Sequence, residues 1–137
     1  MIYNFNELSK SVAMVLKKEP GVIAAYFLGS VVYGKESRES DFDLAVVVEN
    51  KKRISEENIY TLLQEITFPR DLDLSVVDKS SSPLFLFQLV SKGKRVYEKS
   101  EFEISIFEAF VLHNYYDTQH MRNIYFRNLG SKFHYAS

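Results

Sequence analysis

Three aspartates and one glycine–serine turn are the residues of this sequence whose types and spacing point to chemistry. Gly29-Ser30 is followed, after ten residues, by Asp41-x-Asp43, and Asp73 stands in the later apolar run LDLSVV. Residues two apart in a strand project to one face, so Asp41 and Asp43 are expected side by side. Two ionised carboxylates that close repel each other unless a cation lies between them. Carboxylate oxygens are hard ligands that suit Mg²⁺, which keeps waters and takes its other ligands from one or two carboxylates plus substrate phosphates. Gly29-Ser30 supplies the complement. A glycine after a buried strand lets the backbone approach a phosphate, the N–H groups of the turn form an anion nest, and the Ser30 hydroxyl adds a donor. A helix beginning there would aim its positive end at the same place. Phosphate cradle and cation ligands would then face one another, as transfer of a phosphoryl or nucleotidyl group requires.

Asp73 joins this group by a burial argument. A lone charge inside an apolar strand is costly to bury without a partner. If its strand pairs beside that of Asp43, Asp73 reaches the cation and serves as ligand or general base. Asp71 has the same strand parity and competes for the role, but it sits at the strand mouth next to Arg70, so Asp73 is preferred. Each signal alone has a bland reading: Asp-x-Asp is common in strand-edge loops, and Gly-Ser after a strand says little. The combination, at this spacing and between strands, is specific.

The elements that must hold these residues are legible as alternating helices and strands. Leu8, Val12, Val15 and Leu16 recur at helical spacing over Asn6 to Lys18, and Pro20-Gly21 ends that helix. VIAAYFL (Val22 to Leu28) reads as a buried strand, DLAVVVE (Asp43 to Glu49) as a second rich in β-branched residues, and LDLSVV (Leu72 to Val77) as a third. Gly34 lies in an expected turn and short helix after Ser30. Ser55 caps a helix expected to run to about Phe68, where Pro69 stops it. Pro83 opens a short helix to about Val90, and Arg95 to Tyr97 is a short extended piece. One long helix is expected from Glu103 to about Asn128, with a frayed tail from Gly130. The fold class is therefore α+β, a small mixed sheet flanked by helices with a long C-terminal helix. The whole chain, 1–137, reads as one domain, its motifs lying within about 22–98.

Composition narrows the function. The formal net charge of −1 argues against a protein whose main task is coating nucleic acid, so no direct nucleic-acid binding is expected. The clusters Lys51-Lys52-Arg53 and Lys92/Lys94/Arg95 read as solvated turns. The absence of cysteine excludes a disulfide scaffold, a zinc-thiolate site and a cysteine nucleophile. No run approaches the ~18 apolar residues of a membrane span and no signal-peptide pattern opens the chain, so a cytoplasmic location is expected.

The pattern G-S-x10-D-x-D, followed by an aspartate in a later strand, resembles the DNA-polymerase-β-type nucleotidyltransferase superfamily. The short length and the segment Gly93…Val96-Tyr97-Glu98 are similar to its minimal nucleotidyltransferases, the likeness covering roughly Val22 to Glu98. The resemblance implies two Mg²⁺ ions on Asp41, Asp43 and Asp73, with Asp43 bridging them, Asp73 helping to deprotonate the incoming hydroxyl, and the phosphates of ATP on Gly29 and Ser30. Relatives often carry basic residues soon after the motif serine. This chain has Val31, Val32 and Tyr33, leaving Lys35 and Arg38 to supply that charge. Minimal nucleotidyltransferases are often the antitoxin of a pair whose toxin is a HEPN-type ribonuclease. The resemblance therefore implies transfer of AMP from ATP to a tyrosine hydroxyl of such a toxin, in a hetero-oligomer with it. The rivals are an antitoxin that neutralises by contact alone, and nucleotidyl transfer to a small molecule. The latter relatives usually add a substrate-binding domain for which this chain has little length.

Other signals are weaker. His113 and His120 are seven apart on one helix and form no metal set with His134. Arg127-x6-His134 matches a HEPN ribonuclease spacing, but lies in an expected tail and reads as chance. Ser75 has no histidine base in sequence reach. Aromatic residues make up 15% of the chain and thicken toward the C-terminus. Phe107, Phe110, Tyr115, Tyr116, Tyr125 and Phe126 read as helix-core packing or, with little core left to fill, as a partner surface.

Overall fold

The computed structural model of the chain describes residues 4–29 and 42–133. The Asn4 side chain accepts the N–H groups of Asn6 and Glu7, satisfying two donors that a helix start leaves orphaned. Helix α1 (Phe5–Leu16) then buries Leu8, Val12, Val15 and Leu16 along one face. Strand β1 (Val22–Leu28) pairs antiparallel with β2 (Phe42–Val48). The chain crosses over through α2 (Glu56–Leu63), and β3 (Leu72–Val77) comes back parallel to β2. A parallel pair needs such a crossover, and a helix fills it. Helix α3 (Pro83–Lys92), with Pro83 in its first turn, leads to β4 (Lys94–Glu98), which pairs antiparallel with β1. Among the described residues the sheet is mixed and runs β3-β2-β1-β4.

Two apolar layers hold this sheet. Phe27, Phe42, Leu44, Val46 and Val48 pack toward α1 and α2; Ala24, Tyr26, Ala45 and Val47 pack toward α3 and α4 (Glu101–Asp117). The central strands β1 and β2 are covered on both faces, which is why they read as near-continuous apolar runs. Each Val, Leu or Phe among them contributes ~1.5–3 kcal/mol when fully buried, so the layers, rather than the polar site, fix the strand register. Helix α2 ends at Leu63, short of the Phe68 expected from periodicity, because Ile66 and Phe68 join the first layer from the turns that follow.

Two polar networks tie the loops and helices down. The buried Tyr26 hydroxyl donates to Glu108 at 3.1 Å, and Arg95 donates to the other oxygen of the same carboxylate at 3.1 Å, pinning α4 to β1 and β4. Burial, then the Glu108 charge, push the Tyr26 phenol well above its ordinary range. At the far end of the sheet the buried Asp78 carboxylate accepts the N–H of Lys51 at 2.9 Å and both the N–H and hydroxyl of Ser80. Burial alone would raise its pKa, but these donors and the Lys51 charge prevail and hold it below the usual carboxylate range.

The single C-terminal helix expected from sequence is two. Helix α4 stops at Asp117, Thr118 caps it, and α5 (Gln119–Phe133) follows, reaching past the expected end near Asn128 into the first residues of the expected tail, whose residues 134–137 lie outside the described ones. The Thr118 hydroxyl donates back to the Asn114 carbonyl at 2.7 Å, so a side chain competes with the helix ladder there. Arg122 places its guanidinium over the Tyr115 ring, 4.0 Å from the centroid, and donates to the Tyr115 carbonyl and the Thr118 hydroxyl. The aromatic stripe divides accordingly: Phe107 is buried, Phe110 and Tyr115 half-buried, and Tyr116, Tyr125 and Phe126 exposed.

Candidate active site

The site lies where β1 ends and β2 and β3 begin. The Phe42 N–H donates to the Asp71 carbonyl at 2.9 Å, and from there the parallel strands run in step. Phe42 lies opposite Leu72, Asp43 opposite Asp73, and Ala45 opposite Ser75. Cross-strand partners share a face, and neighbouring strands lie about 4.8 Å apart, so the two aspartates stand side by side. By parity with Ala45, Val47 and Val77 that face is the one covered by α3 and α4. The sheet supplies the face and the register; the apolar residues behind the aspartates supply the rigidity.

The two carboxylates differ in setting. Asp43 is half-buried, whereas Asp73 is exposed at the mouth of the sheet. The burial cost that sequence reading assigned to Asp73 is therefore not what explains it: an exposed carboxylate at a strand entrance has no such cost. What singles it out is its register with Asp43. Asp71 is also exposed and has already committed its backbone carbonyl to Phe42, one step further out along the strand.

Gly29 completes the described part of the site. It follows Leu28, the β1 residue opposite Asp43, and has φ +80, a conformation natural to glycine and strained for other residues. A Cβ at this position would stand 2.9 Å from Asp43 Oδ2. The backbone of the turn thus lies directly against the carboxylate, and the spacing of the motif gave no hint of so close an approach. A positive-φ glycine at a buried strand end, with a carboxylate expected on the next strand, is the signal that would have revealed it. The remaining sequence-predicted residues, Asp41, Ser30 and Lys35, lie outside the described residues, as do the expected short helix after Ser30 and His134.

The described donor set is made of carboxylate oxygens, with no imidazole near it among the described residues, and this suits a hard divalent cation. Among the described residues no three acidic, histidine or cysteine side chains converge; the pair Asp43 and Asp73 is what they bring together. His113 pairs with Asp117 at 3.2 Å on the exposed side of α4 and has no part in the site. The basic clusters also separate. Lys51, Lys52 and Arg53 are exposed in a turn, whereas Lys94 lies over the Phe5 ring and Arg95 is bound to Glu108. A cleft of about 320 Å³ bordered by Phe68, Arg70, Asp71 and Leu72 opens beside the strand entrance. A larger one, about 530 Å³ between α1 and the turn Glu65–Pro69, is lined by none of the site residues.

Comparison with known proteins agrees with this geometry. The family described as Polymerase beta, Nucleotidyltransferase matches residues 10–102, which include all of the site. No curated protein matches the chain. Its fold is similar to a chain in the crystal structure of a toxin-antitoxin with AMP-PNP, with a TM-score of 0.70 and 22% identity over 88% of this chain and 97% of that one. It is also similar to a chain of the toxin-antitoxin MntA-HepT, with a TM-score of 0.64 and 20% identity over 90% and 97% of the two chains. A third likeness is to a chain of the tri-AMPylated Shewanella oneidensis HEPN toxin in complex with MNT antitoxin, with a TM-score of 0.65 and 19% identity over 90% and 96%. At these identities the solved structures attest the fold. The family match spans more than half of the chain, carries Gly29, Asp43 and Asp73 within it, and agrees with the mixed sheet; this protein belongs to the polymerase β nucleotidyltransferase family.

Proposed function

We propose that this chain is an antitoxin that inactivates a HEPN-type toxin by transferring AMP from ATP to a tyrosine hydroxyl of it. The observation that carries the reading is the register of Asp43 with Asp73, with Gly29 against Asp43. It is supported by the family, and by solved relatives of the same fold that include one with AMP-PNP and one with a tri-AMPylated HEPN toxin. Residues 1–137 act as one unit, in the cytoplasm where ATP and Mg²⁺ are at hand.

In this reading Asp41, Asp43 and Asp73 would hold two Mg²⁺ ions, which when bound neutralise triphosphate charge and the charge developing on the leaving group. Gly29 and Ser30 cradle the β and γ phosphates through backbone N–H groups and a hydroxyl, with Lys35 adding a positive charge. The tyrosine oxygen bonds to the α-phosphorus, the α–β phosphoanhydride bond breaks, and pyrophosphate departs. Asp73 takes the phenolic proton. Its exposure suits that task, because a base at the mouth can pass the proton on to water, whereas half-buried Asp43 is the more fixed of the two.

The test is transfer of label. Purified protein, ATP labelled at the α-phosphate, Mg²⁺ and a HEPN-domain toxin from the same genome should yield a labelled HEPN protein, with the label on tyrosine. No labelled HEPN protein under these conditions would sink the proposal.

A further inference from the structure

The apolar side chains that the fold leaves in solvent are gathered in one region. Of the eleven large hydrophobic residues exposed among the described ones, six lie between Leu112 and Phe126: Leu112, Tyr116, Met121, Ile124, Tyr125 and Phe126. On α5, Met121, Ile124 and Tyr125 fall at helical i, i+3, i+4 spacing and form one stripe. Met121 is 69% exposed and Tyr125 59%. Arg122, on the flank of that stripe beside Tyr125, is the residue held to Tyr115 of α4.

Charge is segregated in the same place. Residues 118–137 contain Arg122, Arg127 and Lys132 and no aspartate or glutamate, whereas residues 1–117 carry 18 acidic side chains against 14 basic ones. The family match ends at residue 102, so α5 lies outside the residues it matches. A protein acceptor must be held at the mouth of the sheet by some surface that ATP does not use.

We infer that α5 is the docking element for the acceptor protein, its Met121/Ile124/Tyr125 stripe seated on an apolar patch rimmed by acidic side chains that face Arg127. This rests on the proposed function, which supplies the acceptor. Charge complementarity selects the occupant: an acid-free helix whose exposed cation is Arg127 suits an acidic rim, and aliphatic side chains need an apolar floor. A nucleic acid fits less well. Met121 and Ile124 have no ring to stack on a base, and the net charge of residues 1–117 repels a polyanion.

The experiment uses the full chain and, as probe, the HEPN-domain protein that it labels. Ile124→Ala with Tyr125→Ala should weaken binding of that protein by at least ~30-fold, the usual scale for removing an aromatic anchor. Arg127→Glu should weaken it several-fold at low salt, the gap closing as salt rises. ATP binding, measured by calorimetry, should not change with either variant. Should the double variant unfold, the Arg127→Glu exchange at an exposed position still decides the matter. Full-strength binding by the folded variants, with transfer of AMP intact in the wild type, overturns the docking inference and leaves the proposed function standing. A wild type that neither binds nor labels the HEPN protein takes down both. Loss of self-association, or of binding to a single-stranded RNA probe, in variants that still hold the HEPN protein overturns the inference in favour of a second copy or a nucleic acid.

Discussion

Asp43 and Asp73 are register partners on the parallel strands β2 and β3, one half-buried and one at the mouth of the sheet. They are 30 positions apart in the chain, and the crossover through α2 brings them to one face. The account of function depends on this pairing, and the pairing depends on the two apolar layers behind it.

Register separates Asp73 from its neighbour Asp71. Asp73→Asn should lower AMP transfer at least ~100-fold by removing charge stabilisation and the proton acceptor together. Asp71→Asn, whose backbone contact to Phe42 survives the exchange, should stay within a few-fold of wild type. Steady-state transfer rates for the two proteins decide which carboxylate is the third; the reverse order would move the role to Asp71.

Gly29 should tolerate no side chain. Gly29→Ala forces a residue with a Cβ into φ +80 and sets that Cβ against the Asp43 carboxylate. The backbone strain costs ~1–2 kcal/mol, which urea denaturation should detect. Calorimetry should show weakened ATP binding as well, since the carboxylate and the phosphate cradle are both displaced. Unchanged ATP affinity would place the phosphates elsewhere.

Asp78 should make stability acid-dependent without touching catalysis. Its folded pKa lies below the unfolded value of ~3.9, so its stabilising contribution is present above that value and is lost as pH falls through the folded pKa. Asp78→Asn should be less stable than wild type by ~1–3 kcal/mol at pH 7, and the difference should shrink below pH 4. Denaturation midpoints at pH 7 and pH 3 test this. A gap that is equal at both would assign the stability to packing instead.

Tyr26 gives the opposite sign at high pH. Its folded pKa is raised, so its neutral form is favoured, and that stabilisation holds below the unfolded value of ~10 and fades as pH rises beyond it. Tyr26→Phe should remove this alkaline loss. Denaturation midpoints at pH 8 and pH 11 should fall with pH in the wild type and stay flatter in the variant.

Much of the fold was readable in the sequence, for physical reasons. Val22–Leu28 and Leu72–Val77 were found at their observed bounds because apolar runs closed by breakers mark strands sharply. Ser55 and Pro83 mark helix starts because their chemistry suits a first turn. The register of Asp43 with Asp73 was not readable, since strand pairing is fixed by distant packing; only a shared strand parity was. The break at Thr118 was also hidden, because no glycine or proline marks it and the interruption comes from a hydroxyl and from Arg122. Asp73 is exposed despite its apolar neighbours because it stands at the entrance of β3, at the edge of the sheet.

The most direct measurement is AMP transfer by Asp43→Asn alongside wild type, with the HEPN-domain protein as acceptor and circular dichroism to confirm that both are folded. The account predicts an intact fold and transfer reduced at least ~100-fold. Transfer near the wild-type rate by folded Asp43→Asn protein would contradict it.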